Sequence, residues 1–191
     1  TLRSAEVILR SILKRAIFLF IDGKDVWYAE KTPFEKILRS EKLNLVEHLQ
    51  LDDSDVVFHI KQWQNSDDSI LADLSKRFLH RRLFKAFDLD MPDIERAEFL
   101  AKVRATVEKA GFDSDYYYAE DTASDVPYYF YTKETTAPNK LIYVADGYSR
   151  SVITEISEIS AAVRGLQRGY QIHRVCFPPE VKNEIAKFYH K

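Results

Sequence analysis

Five fixed positive charges and no acidic residue stand in the ten residues Lys76–Lys85, KRFLHRRLFK. Arg77 and Arg81 are four residues apart, a spacing that puts two side chains on one face of a helix, and Lys85 follows in a strand-like segment. Arginine forks match phosphate oxygens with two parallel hydrogen bonds, and lysine supplies a point charge. The pattern therefore predicts that Arg77, Arg81 and Lys85 converge on a di- or triphosphate.

A structural role for the same basic run is the alternative. Cations in the last turn of a helix complement the negative end of the helix dipole. Asp67, Asp68 or Asp73 could also neutralise the run through ordinary surface ion pairs. Composition alone favours this structural role, so a phosphate site requires support beyond the charge pattern.

The histidines do not form a recognisable metal site. None is followed by Asp, and no two stand at a convincing metal-ligand spacing; they are His48, His59, His80, His173 and His190. Asp52, Asp55 and His59 would come together on the first turns of a helix, but capping and the helix dipole already explain acids there. We therefore predict no metal ligand and no catalytic residue in this chain.

Aromatic and cysteine residues offer three further candidates. The runs Tyr116–Tyr118 and Tyr128–Tyr131 could stack on bases, but basic residues are scarce around them and aromatics are favoured in strands. Cys176 and His173 are three apart on a predicted strand, so their side chains point to opposite faces and form no dyad. Trp63 stands at helical spacing from apolar residues and is predicted to be buried packing.

Composition limits the class of protein. The formal charge is -2 with 30% charged residues over 191 residues, so the surface as a whole is not built for nucleic acid and any polyanion site must be local. One cysteine excludes an intrachain disulfide and fits a reducing, cytoplasmic compartment. The longest apolar run, Ala16–Ile21, is far shorter than the roughly 20 residues of a membrane span, so we predict no membrane segment.

The first half of the sequence reads as helical. Apolar residues recur at helical spacing from Ala5 to Leu19 and stop at Gly23, and because this pattern begins so close to Thr1 we expect a fragment or a processed chain. A further helix is predicted over 33–39 and is followed by a short stretch of mixed polarity over 43–49. Two more helices are predicted to start near Leu51–Asp55 and near Asn65–Ser69, the latter segment being the polar turn that joins them. Residues 1–89 therefore form an all-helical segment that ends in a strand over 83–89.

The second half mixes helix and strand. A helix is predicted from Pro92 to Gly111, followed by strands over 116–119, 126–132, 141–144, 151–156 and 171–177. The strands that flank Asp146 and Gly147 form a predicted hairpin, a helix follows over 156–166, and a last helix follows Pro178 and Pro179. The predicted fold class is α+β, with residues 90–191 as a smaller α+β domain containing a mainly antiparallel sheet.

These residues also resemble a known family. Similar motifs occur in the segment that follows the catalytic core of deoxynucleoside-triphosphate triphosphohydrolases, bacterial and animal enzymes of the HD superfamily. The motifs are Ser4–Glu6, Lys14–Ala16, Leu51–Asp55, Lys61–Trp63, Asp73–Leu74 and Arg81–Lys85, with Glu155–Ser160 and Phe177–Pro178 matching bacterial members. The resemblance is specific in the first half and looser after residue 90.

The resemblance implies a regulatory part of an enzyme. In that family, histidines and aspartates bind the divalent metal that activates water for attack on the α-phosphate, which releases triphosphate and the nucleoside. Those residues lie upstream of everything present here. The resemblance therefore implies a non-catalytic C-terminal regulatory and oligomerisation part, without a cofactor of its own. Its expected partners are the missing metal-binding HD domain, other copies of the chain, and a nucleotide effector such as dGTP, GTP or another dNTP.

The same resemblance bears on the basic run. In the animal enzyme with a sterile-alpha-motif domain, an Arg-x-Leu-Phe-Lys stretch matches Arg81 and Lys85, and its basic ends contact activating nucleotides at subunit interfaces. This implies an allosteric nucleotide-phosphate site at Arg81 and Lys85. The alternative function is a free-standing α+β protein that binds nucleic acid through the same run, which the near-neutral total charge disfavours.

Overall fold

The structure is a computed structural model that describes residues 2–125, 142–145, 153–165 and 170–189. They belong to two compact units, Thr1–Asp121 with Arg174–Lys191, and Thr122–His173. The predicted boundary between residues 89 and 90 falls inside the first unit. The α+β class is confirmed, because a helical N-terminal segment precedes a small antiparallel sheet. None of the helices in the described ranges is long and apolar enough to cross a membrane.

Five helices form the first part of the chain, as the sequence predicts. They are α1 (Leu2–Ile21), α2 (Pro33–Leu38), α3 (Leu45–Leu49), α4 (Asp53–Trp63) and α5 (Ser69–Leu79). The apolar stripe of α1 is fully buried at Ile8, Ile12 and Ala16. This stripe allows α1 to pack mainly against α5. Gly23, with a φ of 68°, ends the first helix as predicted.

Capping explains the acids at the helix starts. The Asp52 side chain accepts hydrogen bonds from the backbone N–H groups of Ser54 and Asp55, and the Asp55 side chain accepts one from the Asp52 N–H. Asp68 caps α5 by accepting from the N–H of Leu71 at 2.8 Å. The predicted capping role of Asp52 and Asp55 is confirmed.

Strands and further helices follow the helical segment. They are β1 (Lys85–Asp88), α6 (Asp93–Lys109), α7 (Ser114–Tyr117), β2 (Ala119–Asp125), β3 (Tyr143–Ala145), β4 (Ile153–Glu155), α8 (Ile156–Ile159), α9 (Ala161–Gly165), β5 (Tyr170–Phe177), a 3-10 turn (Pro179–Val181) and α10 (Lys182–Ala186). One sheet has the strand order β1-β5-β2, and the antiparallel pair of β1 and β5 places Lys85 opposite Phe177 and Asp88 opposite Arg174.

The predicted hairpin is confirmed in its described part, where β3 pairs antiparallel with β4. Its turn at Asp146 and Gly147 lies outside the described residues, as does the predicted strand 126–132. The predicted helix 156–166 is wrong as one piece, because it divides at Ser160. The Ser160 hydroxyl accepts from the N–H of Val163 at 3.3 Å, which starts a separate helix.

The predicted strand 116–119 is also wrong, because a short helix, α7, occupies its first two positions. The side chain of Asp113 accepts from the N–H of Asp115 at 2.9 Å and so caps a helical turn. Tyr116 and Tyr117 are both buried, whereas neighbouring residues of a strand would face opposite sides.

The core of the first unit is built around Trp63, Phe34 and Phe177, each at most 1% exposed. The indole N–H of Trp63 donates to the backbone carbonyl of Trp27 at 2.7 Å, so its one polar atom is satisfied within the core. The prediction that Trp63 is buried packing is confirmed.

Candidate functional site

The basic run leaves α5 through a tight helix ending. The N–H of Arg81 donates to the carbonyl of Phe78 at 3.2 Å, and the N–H of Arg82 donates to the carbonyl of Arg77 at 2.8 Å. These two bonds form a Schellman motif, in which one residue adopts the left-handed conformation. Arg81 is that residue, with a φ of 55°. The motif turns the chain out of the helix and directs it into β1.

An arginine is unusual at this position, because a Cβ atom disfavours the left-handed conformation and glycine adopts it readily. Helices α1 and α6 end in the same pair of hydrogen bonds with Gly23 and Gly111 at the equivalent place. Helix α2 ends in this way with Ser40, whose φ is 56°. The helix ending therefore does not require an arginine, and the Arg81 side chain needs another explanation.

An open groove of about 970 Å³ lies beside the loop and strand that follow. One side is the continuous stretch Arg81–Asp88, and the remaining lining residues are Ser4, Arg174, Pro179, Glu180 and Tyr189. We call this the β1 groove. Arginine and lysine contribute four positive charges to the lining, and aspartate and glutamate contribute two negative ones. The groove is thus locally electropositive in a chain whose formal charge is -2.

The cations of the groove differ in their pairing. Arg174 lies 2.5 Å from Asp88, its partner across the sheet, and this hydrogen bond raises the pKa of the arginine. Arg82 lies 3.6 Å from Glu180. Among the residues that the structure describes, no acidic side chain forms an ion pair with Arg81 or Lys85. These two exposed cations are therefore the ones available to an anion.

Arg77, the third residue of the predicted phosphate site, lies elsewhere. Its side chain is 5% exposed and is held by Asp73 at 2.6 Å and by Glu180 at 2.9 Å. It does not line the β1 groove. The expectation that Arg77 and Arg81 share a helix face is wrong, because α5 ends at Leu79 and the left-handed Arg81 lies beyond the helix.

The pairing of Arg77 belongs to a larger buried network. The Tyr117 hydroxyl donates to Asp73 at 2.7 Å, and burial together with this bond raises the pKa of the tyrosine. Burial acts to lower the pKa of Arg77, but the hydrogen bonds that Arg77 donates to Glu180 and Asp73 outweigh it and the pKa is raised. Burial likewise acts to raise the pKa of Glu180, but the bond from Arg77 holds it below its ordinary value. Arg77 and Glu180 therefore both stay ionised.

Aromatic residues also line the β1 groove. The rings of Phe87 and Tyr189 are stacked, with centroids 4.2 Å apart and planes 12° apart. The Tyr189 hydroxyl donates to the backbone carbonyl of Asp88 at 2.7 Å. Sequence reasoning missed Tyr189 and Arg174, since only the pairing of β5 with β1 and the return of the C-terminal segment bring them to the groove. Arg82, by contrast, belongs to the basic run and could be identified from the sequence.

Among the described residues, the histidine and carboxylate candidates do not form a metal site. His59 is 1% exposed; its Nδ1 contacts the Asp55 carbonyl at 2.7 Å and its Nε2 accepts from the Ala29 N–H at 3.2 Å. Within the described ranges, no group of three or more His, Cys, Asp or Glu side chains is arranged to hold a metal ion. The second aromatic run, Tyr128–Tyr131, lies outside the described residues.

Known proteins resemble this chain over much of its length. No family model matches it. The uncharacterized protein YwfO of Bacillus subtilis is 31% identical over 180 residues, which are 94% of this chain and 40% of YwfO. A solved phosphohydrolase from Bacteroides thetaiotaomicron has a TM-score of 0.67 at 20% identity, covering 91% of this chain and 44% of its own. A hypothetical protein from Aquifex aeolicus reaches a TM-score of 0.47 at 14% identity, with coverages of 91% and 38%.

Two facts follow from these comparisons. The chain spans less than half the length of each of these proteins. Its fold is similar to the corresponding part of a phosphohydrolase, whereas the Aquifex structure is too dissimilar to bear on the fold.

Proposed function

We propose that this chain is the non-catalytic C-terminal regulatory and oligomerisation part of an HD-domain deoxynucleoside-triphosphate triphosphohydrolase. The parent reaction converts a dNTP and water into a deoxynucleoside and triphosphate. Two observations support this assignment: the motifs that resemble that family, and the fold shared with a phosphohydrolase more than twice the length of this chain. The regulatory role is assigned to the β1 groove, which binds the phosphates of an effector nucleotide.

The observation that carries the proposal is the pair of available cations, Arg81 and Lys85, in one electropositive groove. Exposed basic residues are common on protein surfaces, so exposure alone does not indicate a binding site. Here the two side chains line a concavity whose volume is at the upper end of the roughly 300–1,000 Å³ typical of small-molecule sites. An arginine fork beside a lysine suits the several oxygens of a di- or triphosphate.

The backbone of Arg81 gives independent support. A residue other than glycine in the left-handed region costs about 1–3 kcal/mol, and such strain tends to persist where the side chain is used. Ser40 has a similar φ outside the groove, so strain alone is not diagnostic. The combination of strain, available charge and position in the groove is what distinguishes Arg81.

The proposed partners are the catalytic domain and further copies of the chain. By the family resemblance, the divalent metal is bound by that catalytic domain. Large apolar side chains on α3 are well exposed, namely Leu45, Val46 and Leu49. Exposed apolar surface of this kind is typical of a face that another protein segment covers.

The test is nucleotide binding by calorimetry with dGTP and GTP. Arg81→Ala and Lys85→Ala should each weaken binding by about tenfold or more, since a hydrogen bond to a charged group contributes roughly 1.5–3 kcal/mol. Arg10→Ala and Lys102→Ala are matched controls, because both side chains are exposed and lie outside the β1 groove. Wild-type affinity in both groove variants would refute the phosphate site.

The same protein preparation tests the alternative of nucleic-acid binding. A phosphate-backbone site should prefer an oligonucleotide and lose affinity steeply between 50 and 200 mM salt, by about 10³-fold or more when many phosphates are contacted. The β1 groove should instead prefer a mononucleotide. A preference for the oligonucleotide would favour a nucleic-acid-binding protein over the regulatory module.

A further inference from the structure

We infer that Phe87 and Tyr189 are the platform on which the base of the bound nucleotide stacks, so that the ligand of the β1 groove is a nucleotide and not inorganic polyphosphate. The inference rests on the proposed function, because it assumes that Arg81 and Lys85 face the phosphates. The inference concerns the base of the nucleotide, which those cations do not recognise.

The groove has a chemical polarity that matches a nucleotide. Lys85 and Phe87 are two residues apart on β1, so their side chains leave the same face of the strand, roughly 7 Å apart along it. Arg81, four residues before Lys85, lines the same groove, and Tyr189 stacks on Phe87. A nucleotide likewise joins a planar apolar ring to a row of negative charges through a short sugar.

The aromatic pair is held in place before any ligand arrives. Phe87 packs edge-on against Phe177 with centroids 5.2 Å apart, and Tyr189 contacts Phe99 at 5.6 Å. Phe177 and Phe99 are buried, whereas Phe87 and Tyr189 are only partly buried and line the groove. Rings that are already ordered lose little conformational entropy when a base stacks on them, which favours binding.

The neighbouring strand edge argues for a small ligand over an extended peptide. Strand β1 ends the order β1-β5-β2, so a peptide could in principle add a strand beside it. The Tyr189 hydroxyl, however, already donates to the Asp88 carbonyl and occupies an acceptor that such a strand would use. Tyr189 also lines the groove beside this strand.

Binding of GTP and of inorganic tripolyphosphate to the same protein tests the platform. Wild type should bind GTP about 5- to 150-fold more tightly than tripolyphosphate, since stacking on an aromatic side chain contributes roughly 1–3 kcal/mol per base. Tyr189→Leu should bring GTP affinity close to that of tripolyphosphate and leave tripolyphosphate affinity unchanged. Tyr189→Phe keeps the ring and should retain most of the preference for GTP.

If thermal unfolding shows that Tyr189→Leu does not fold, a second variant tests the platform in its place. Phe87→Leu removes the other ring of the pair, and it should also reduce the preference for GTP. Equal affinity of wild type for GTP and tripolyphosphate would overturn the platform. A folded Tyr189→Leu protein that lost affinity for both ligands equally would also overturn the platform. Tyr189 would then maintain the structure of the groove instead of contacting the base.

These outcomes separate the two proposals. If tripolyphosphate binds and its binding depends on Arg81 and Lys85, but a base adds nothing, only the stacking platform fails. If neither ligand binds, or if binding ignores Arg81 and Lys85, the phosphate site of the proposed function fails as well.

Discussion

Arg77 donates a hydrogen bond to the carboxylate of Glu180 at 3.0 Å and forms a second ion-pair contact with it at 2.9 Å, although 103 residues separate them. The pair joins the last turn of α5 to the 3-10 turn that precedes α10. It also holds Glu180 at the margin of the β1 groove, where the carboxylate comes within 3.6 Å of Arg82. An ion pair between a buried arginine and a partly exposed glutamate thus sets the position of an acid that lines the candidate site.

Replacement of Arg77 should destabilise the fold. Arg77→Ala would leave Asp73 and Glu180 without their shared partner, and we expect a loss of about 2–3 kcal/mol in the free energy of unfolding. This is less than for a fully buried pair, because both carboxylates are about 40% exposed. Urea denaturation measures it. Arg77→Met keeps the apolar stem and should lose less; a loss below about 0.5 kcal/mol for Arg77→Ala would contradict the proposed structural role.

Neutralisation of Glu180 should strengthen anion binding. Glu180→Gln removes a negative charge from the groove lining and releases Arg82 from its ion pair, so tripolyphosphate affinity should rise by about threefold at low salt. The gain should shrink as ionic strength screens the charge. Glu184→Gln is a matched control, since Glu184 is an exposed acid of the next helix that does not line the groove. Equal affinities in wild type and Glu180→Gln would count against this electrostatic role.

Because Arg81 has a strained conformation, its replacement by glycine should stabilise the fold and weaken nucleotide binding. Arg81→Gly should raise the free energy of unfolding by about 1 kcal/mol, because glycine adopts the left-handed conformation without a Cβ penalty. The same change removes a phosphate ligand, so nucleotide affinity should fall by about tenfold or more. Denaturant unfolding and calorimetry on one preparation measure both effects.

Ser40→Gly is the matched control for that variant. Ser40 ends α2 through the same pair of hydrogen bonds, with a φ of 56°. Its replacement should stabilise the protein by a similar amount and leave nucleotide affinity unchanged. A stabilised Arg81→Gly protein with full affinity would separate the strain at Arg81 from any role in binding.

His59 should make stability depend on pH near neutrality. Burial lowers the pKa of His59 below its ordinary value of 6.5, although the Asp55 carbonyl and charge oppose this. A carbonyl can only accept, so Nδ1 carries the proton and Nε2 accepts from Ala29; a second proton would set two donors against each other. Below pH 6.5 the unfolded chain therefore binds more protons than the folded one. The free energy of unfolding decreases as the pH is lowered from 6.5, until the pH passes the lower pKa of His59 in the folded state.

Unfolding measurements between pH 8 and pH 5 test this dependence. The free energy of unfolding should be constant at the upper end and decrease by up to about 1.4 kcal/mol per pH unit below 6.5. His59→Gln should flatten this decrease, whereas His48→Gln, at an exposed position, should not. If the free energy of unfolding decreased equally in His59→Gln and wild type, the pH dependence would come from other groups.

The sequence by itself determined most helices and their ends, because those signals are local. Asp52 and Asp68 cap the residues that follow them, and Gly23 ends the helix that precedes it. These interactions span a few residues and leave a pattern that can be read without the fold. The strand predicted over Tyr116 and Tyr117 failed because a local cap and the burial of both rings outweighed the β preference of tyrosine.

Tertiary structure alone decided which cations are available to a ligand. Arg77 and Arg81 belong to one basic run, yet Arg77 is buried against Glu180 from 103 residues away, while Arg81 is turned outward by a left-handed backbone. The register of β5 on β1 and the return of the C-terminal segment bring Arg174 and Tyr189 to the groove. Partners so distant in sequence come together only when the chain buries its apolar core, and no local pattern records them.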